Sequence, residues 1–374
     1  MADFLVKELI TNDIERELLQ IGFDESYARI GSEKFRYKNI KIYNLTPEQA
    51  NIIKQTALSV GADCGTHREV IRGKIDKSDA ILGGSFSQLK KIVQKLKHQP
   101  FSLKFLAEKI EENLISQRRK TKLVGILNVT PDSFSDGGKY NDELSAQKHL
   151  MEMIQDGADL IDIGAESTRP YSEAVSSEEQ IIRLTSILKF IQKENIQVPI
   201  SVDTRSSDVA VFALDNGASI INDVSGFDYD KKLADVVSKY KAGVIIQHSK
   251  GTPQNMQDAP HYANVTEEIY LNLKSKIAYA KSIGIKDIIV DPGIGFGKTK
   301  EDNFELLNRI EEFYSLQCPV MAGISRKSLL GVNNGDNLLK DELTLAVSYP
   351  LIQKGVDYLR VHNIKLHKAL INMI

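Results

Sequence analysis

From Leu123 to the carboxyl terminus, short apolar runs alternate with longer stretches of helical period. Leu123–Val129, Leu160–Gly164, Pro199–Thr204, Ile220–Val224, Gly243–His248, Asp287–Pro292, Pro319–Ile324 and Tyr358–His362 are too short for helices and read as buried strands. Helical patterns lie between them near 143–156, 177–194, 207–216, 230–240, 265–283, 302–314 and 341–354, and a last one starts near 364. Eight strands alternating with eight helices, over about 250 residues, predict a TIM (β/α)8 barrel. An open doubly wound sheet is the alternative, but it calls for fewer strands and a glycine-rich phosphate loop after the first. Gly295-Phe296-Gly297 follows the sixth strand and lacks a third glycine.

Residues 1–119 follow a different pattern. Phe35–Tyr43 alternates like a strand. Thr46-Pro47-Glu48-Gln49 supplies an N-cap, a proline at the first helical position and a capping-box glutamine for a helix that stops at Gly61. Asp79–Leu82 is a short strand, and Phe86–Leu96 and Leu103–Leu114 are amphipathic helices. These predict a small α+β domain, linked through Ser116–Thr121 to a barrel over 120–374. The domain carries a slight basic excess and the remainder an acidic one, which fits either a surface contact or two solvated faces. It contains no chemical motif.

Composition narrows the class. At 374 residues, 42% hydrophobic and 26% charged with a net charge of −2, the chain is an ordinary globular sequence longer than one typical domain. The balanced charge gives no nucleic-acid footprint. Cys64 and Cys318 lie too far apart in sequence for a metal motif, and so few cysteines fit a reducing compartment. No apolar run reaches about 18 residues and Met1-Ala2-Asp3 lacks a basic signal start, so a cytoplasmic protein is expected.

The polar residues of the barrel gather at the carboxyl ends of its strands: Asn128, Asp162 and Glu166, Asp203, Asn222 and Asp223, His248, Asp291, Ser325 to Lys327, and Arg360 with His362. That face carries the active site in this architecture. Any one such residue is more often a satisfied buried group than a ligand contact; their coincidence at nearly every strand argues for a site. Asp203 and Asp291 are acceptors suited to a ring N–H and an exocyclic amine, and the amide of Asn222 offers both senses. Lys327 can neutralise the carboxylates or meet a ring heteroatom. Arg360 and His362, two apart, suit an anion together with Asn128, most plausibly phosphate, and the Asn128 oxygen also suits Mg²⁺. Loops at 130–140 and 166–176 can close over the site. For Asp162 and Glu166, capping or salt bridging is favoured over acid–base chemistry.

These residues resemble the dihydropteroate synthase family over about 122–374. The resemblance rests on Asn128-Val-Thr-Pro-Asp-Ser-Phe-Ser-Asp-Gly-Gly138, Glu166-Ser-Thr-Arg-Pro170, Ser201-Val-Asp203-Thr204, Ile221-Asn222-Asp223-Val-Ser-Gly226, Asp291-Pro-Gly-Ile-Gly-Phe-Gly-Lys298, Ser325-Arg-Lys327-Ser328 and Arg360-Val-His362. It implies condensation of (7,8-dihydropterin-6-yl)methyl diphosphate with 4-aminobenzoate to 7,8-dihydropteroate and pyrophosphate, with Mg²⁺, in a homodimer that sulfonamides target. It further implies that Asp203, Asn222, Asp291 and Lys327 bind the pterin, with Lys327 and Asp203 catalytic. Asn128 matches the metal ligand and a diphosphate contact. Thr168, Arg169, Arg360 and His362 match other diphosphate contacts, and Phe134, Pro170, Phe296 and Ser328 the aminobenzoate pocket. In the family's mechanism, diphosphate leaves first and the amine captures a pterin-stabilised cation.

Three positions depart from the family pattern: Tyr171 where glycine is usual, Gln247-His248-Ser249 where Met-His-Met is usual, and Asn363 where aspartate is common. None removes a charged substrate contact. Two other readings stand beside this one. A pterin-dependent methyltransferase acting with a corrinoid protein would share Asp203, Asn222 and Asp291 but would not need Asn128, the Thr-Pro-Asp-Ser-Phe-Ser loop or the Arg360/His362 pair. A barrel that only binds or scaffolds would not need the full set of charged positions.

Overall fold

A computed structural model of the chain describes residues 5–11, 13–115, 120–130, 139–166, 175–251, 260–332 and 336–374. The chain divides into two compact units, 1–117 and 118–374. The first holds α1 (Ile14–Gln20), α2 (Glu25–Ser32), β1 (Tyr37–Leu45), α3 (Pro47–Leu58), β2 (Asp63–Thr66), β3 (Ser78–Ser85), α4 (Phe86–Leu96) and α5 (Leu103–Leu114). Its antiparallel sheet has the order β1-β3-β2. Ile42, Leu45, Ala80 and Leu82 from the sheet join Ile53, Leu89, Ile92, Val93 and Ile110 from the helices in one core. Capping boxes Thr46/Gln49 and Ser85/Gln88 start α3 and α4. The sequence pattern did not reveal α1, α2 or β2. The two helices are short, and the Asp-Cys-Gly-Thr of β2 carries little strand propensity; pairing with β3 holds it.

The second unit is the barrel: β4 (Lys122–Asn128), α6 (Lys139–Gln155), β5 (Leu160–Gly164), α7 (Ser177–Lys193), β6 (Ile200–Asp203), α8 (Ser207–Asp215), β7 (Ile220–Asp223), α9 (Lys232–Tyr240), β8 (Gly243–Gln247), α10 (Val265–Ser282), β9 (Ile288–Asp291), α11 (Lys300–Asn308), β10 (Met321–Gly323), α12 (Asn337–Gln353), β11 (Tyr358–Val361) and α13 (Ile364–Met373). Its eight strands are parallel in the order β10-β11-β4-β5-β6-β7-β8-β9, and a bridge between Val290 and Val320 closes the ring. The predicted helix at 302–314 is two elements. α11 ends at Asn308, and a 3₁₀ segment follows over Ile310–Leu316. Ile310, Phe313 and Leu316 are its buried residues, and a spacing of three suits the tighter helix.

Alternate residues of each strand face opposite ways, which explains why the strands read as continuous apolar runs. Outward positions such as Leu123, Ile161, Val202, Ile221, Ile246, Val290 and Leu359 join the large core shared with the helices. Inward positions Val124, Leu160, Ile245, Ile289 and Met321 form a separate buried cluster, with Ile220 and Tyr358 packed against it. This cluster is an apolar floor inside the barrel.

Candidate active site

One strand step above the floor, the character of the interior changes. Leu160 leads to Asp162, Ile220 to Asn222, Ile245 to Gln247, Ile289 to Asp291 and Tyr358 to Arg360, while Val124 and Met321 lead to Ile126 and Gly323, which add no polar group. Asp203, at the end of β6, completes the layer. The two-residue period that builds the floor therefore aims this polar set at the same interior space, towards the carboxyl ends of the strands.

Asp162 organises one side of the layer. It is fully buried. Its Oδ2 accepts from Arg360 Nε at 2.6 Å and from Asn222 Nδ2 at 2.9 Å, while its Oδ1 accepts from Ser201 Oγ. Arg360 also donates through Nη2 to Asp203 Oδ2 at 3.1 Å. The guanidinium thus lies in the interior between two carboxylates. Burial opposes the Arg360 charge, but Asp162 and Asp203 outweigh it and hold the pKa above the ordinary arginine value. Burial, and then the neighbouring Asp162 charge, push Asp203 up to about 7.

Asp291 organises the other side. Its Oδ1 accepts from the Gly293 N–H at 2.7 Å. Burial raises its pKa, opposed first by the Lys327 charge. Lys327 donates to the Ile294 carbonyl and lies 4.5 Å from the centre of the Phe296 ring. Burial brings this ammonium down to about 8. Behind the loop, buried Lys298 donates to Phe296 O at 2.9 Å and faces His248 Nδ1 at 3.1 Å. Burial, reinforced by Lys298, lowers His248 to about 2, so its ring is neutral. Gly293 and Gly297 adopt positive φ, and a Cβ on them would meet His248 O at 1.8 Å and Lys250 O at 2.3 Å. Only glycine lets this loop lie so close to the end of β8.

The remaining predicted residues are spread around this centre. Asn128 is half-buried at the tip of β4, and a Cβ at Gly164 would lie 3.3 Å from its Oδ1. His362 follows β11, with Nδ1 2.9 Å from Ser325 Oγ. Ser328 is exposed and opens a 3₁₀ turn. Asp223 faces away from the layer and accepts from the N–H groups of Ser225 and Phe227 and the Ser225 hydroxyl, so it braces a loop. Glu166 pairs with Arg205 at 3.0 Å, the salt bridge favoured from sequence. Asn363 caps α13 and donates to Asp341, which also takes both arms of Arg326. Phe134, Thr168, Arg169, Pro170 and Tyr171 lie outside the described residues.

Among the described residues, two buried side-chain atoms in the layer lack hydrogen-bond partners: the amide oxygen of Asn222 and the amide nitrogen of Gln247. Because Asp162 takes the Asn222 NH₂, the oxygen is the end left for a ligand. The layer therefore combines carboxylate acceptors, an unpaired acceptor, an unpaired donor and buried cations, which suits a flat heterocycle with several donors and acceptors on its edge.

Comparison with known proteins agrees with this chemistry. The family model described as pterin binding enzyme matches residues 124–362. The dihydropteroate synthase of Clostridium beijerinckii is 46% identical over 251 residues, covering 66% of this chain and 90% of its own. A bifunctional dihydropteroate synthase/dihydropteroate reductase of Helicobacter pylori is 33% identical over 378 residues, covering 99% of this chain and 98% of its own. Among solved structures, the dihydropteroate synthase of Clostridium difficile, determined in the presence of pteroic acid, superposes with a TM-score of 0.64 at 40% identity. It covers 69% of this chain and 97% of its own.

Proposed function

This chain belongs to the pterin-binding enzymes, among the dihydropteroate synthases, and condenses (7,8-dihydropterin-6-yl)methyl diphosphate with 4-aminobenzoate; from that premise we propose how its own residues divide the work. Asp291 and Asn222 accept hydrogen bonds from the pterin ring and its amine, with Asp203 at the same layer and Lys327 against a ring heteroatom. Arg360, His362 and Asn128 receive the diphosphate. What carries this reading is the buried amide oxygen of Asn222, left unpaired inside a layer of carboxylates. Ser325 supports it by holding the His362 ring through Nδ1 at the carboxyl end of β11.

The bond from the pterin methylene to the diphosphate oxygen breaks with its electron pair on oxygen. The cation left on the pterin is delocalised into the ring, beside the buried carboxylates, and the amine nitrogen of 4-aminobenzoate closes on it and then loses a proton. Phe296, held under Lys327, offers an aromatic wall for the second substrate. Asn128 and the substrate oxygens would hold Mg²⁺. Among the described residues no cluster of three or more acidic, histidine or cysteine side chains forms a cage, which suits an ion carried mainly by diphosphate. Bound there, Mg²⁺ would neutralise the leaving group's charge. A homodimer and a cytoplasmic location belong to the same reading; no helix among the described residues is long and apolar enough to cross a membrane.

The direct test is pyrophosphate release from the pterin diphosphate with and without 4-aminobenzoate; release dependent on the amine, matched by dihydropteroate, is expected. The pH profile tests the assignments. Asp203 loses its proton near 7 and Lys327 loses its charge near 8. The carboxylate of Asp203 and the charged form of Lys327 are together most abundant between these values. kcat/KM for the pterin diphosphate should therefore rise through about 7 and fall through about 8, and Asp203→Asn should remove the acid limb. A limb that persists in that variant assigns it to another group.

The relative that aligns with nearly the whole chain, rather than the barrel alone, supports a second reading. Here the full chain also reduces its product, adding a hydride from a reduced nicotinamide or flavin and a proton from solvent to dihydropteroate to form tetrahydropteroate. Supplying the full chain with dihydropteroate and each reduced donor should oxidise one donor per product formed. No donor oxidation would leave the synthase reaction alone.

A further inference from the structure

Gln247 ends β8, two residues beyond Ile245 of the floor, so its side chain projects into the barrel interior. It is only 4% exposed, and its amide nitrogen is buried without a hydrogen-bond partner among the described residues. An unpaired buried amide donor destabilises the folded chain. The methionine expected at this place from the resemblance would fill similar space without that cost. The register puts Gln247 directly opposite Asp291 on β9. On its other side β8 pairs with β7, which carries Asn222 and its unpaired amide oxygen. Acceptor, donor and acceptor thus follow one another around three adjacent strands: Asn222 Oδ1, Gln247 Nε2 and the Asp291 carboxylate.

We propose that Gln247 is a specificity-determining contact of the pterin site, donating its amide N–H to a ring nitrogen flanked by donors that go to Asn222 and Asp291. The inference rests on the pterin-site reading and adds a polar contact that a methionine there cannot make. The pairing is made only when ligand is present, so the unsatisfied donor of the free protein becomes binding energy in the complex.

The test is calorimetric titration of the full chain and its Gln247→Met variant with 6-hydroxymethyl-7,8-dihydropterin, alongside steady-state kinetics. The variant should bind the pterin about tenfold more weakly, or worse, while KM for 4-aminobenzoate and the thermal midpoint hold or the midpoint rises. Gln247→Glu, which keeps the length but loses the donor when ionised, should weaken binding likewise and serves if the methionine variant fails to fold. Analogues with single ring nitrogens replaced by C–H identify the acceptor: for one of them parent and variant should bind equally. Equal or tighter pterin binding by Gln247→Met, or a penalty of the same size for every analogue, overturns the inference. Failure of the parent itself to bind pterin would instead overturn the underlying reading.

Discussion

Replacing Asp162 by alanine is expected to destabilise the barrel by about 3 kcal/mol, at the low end of the range of roughly 3–5 kcal/mol for breaking a buried ion pair, and to lower kcat/KM for the pterin diphosphate by at least two decades. The low end applies because Arg360 keeps its second partner, Asp203. The change also strips acceptors from Ser201 and from the Asn222 amide. The Asn222 NH₂ is then free to turn towards the ligand and present a donor where an acceptor is required. Denaturant unfolding should show a lower midpoint with an unchanged slope. The milder Asp162→Asn variant separates the electrostatics from the packing. It removes a charge that raises the Asp203 pKa, so the acid limb of kcat/KM should move below about 7. An unmoved limb would mean that Asp162 does not govern the titrating group, and an alanine variant of full stability would show that the hub does not hold the layer together.

The barrel was legible because its two periods are strong. Short apolar runs and helical stretches alternate without interruption, and the strand Leu160–Gly164 has the bounds that its apolar run predicts. The chemistry of the strand ends was also legible, since polar residues closing apolar runs stand out. The direction of each side chain was less so. Counting in twos from an apolar residue of the floor selects Gln247 over His248, and Asn222 over Asp223. A scan for polar residues near strand ends gives both members of each pair equal weight. The same counting puts Asp162 and Arg360 on the interior surface, yet sequence alone leaves Arg360 to face an anion. The structure pairs it with Asp162 and Asp203, 198 and 157 positions away in the chain. No local signal reports such a pairing, because it depends on how β11 pairs with β4 and β4 in turn with β5. Lys298 closes the Asp291–Lys298 run in the sequence, but its role, bracing Phe296 and the end of β8, is set by loop packing that only Gly293 and Gly297 permit.

Asp291→Asn is expected to weaken pterin binding by two to four decades and leave 4-aminobenzoate binding nearly unchanged. In the folded chain one carboxylate oxygen takes the Gly293 N–H. The other is available to a ligand that brings donors; burial raises the carboxyl's pKa, and Lys327, the Gly293 N–H and Arg360 oppose that rise. Asparagine occupies the same volume. If its oxygen keeps Gly293, its NH₂ must face the ligand's own donors, and if it flips, it confronts the backbone N–H instead. Either orientation leaves donor against donor in a buried place. Loss of the buried charge adds to this, for a total of about 3–5 kcal/mol, and each 1.36 kcal/mol is about a decade. Lys327 loses the neighbour that most supports its charge, so its pKa should fall below about 8 and the alkaline limb of activity should move down with it. Titration with a pterin, set beside the KM for 4-aminobenzoate, separates the two sites. Equal loss for both substrates would mean that Asp291 supports the loop from Gly293 to Phe296 rather than the pterin itself, and unchanged pterin affinity would remove the heterocycle from this layer.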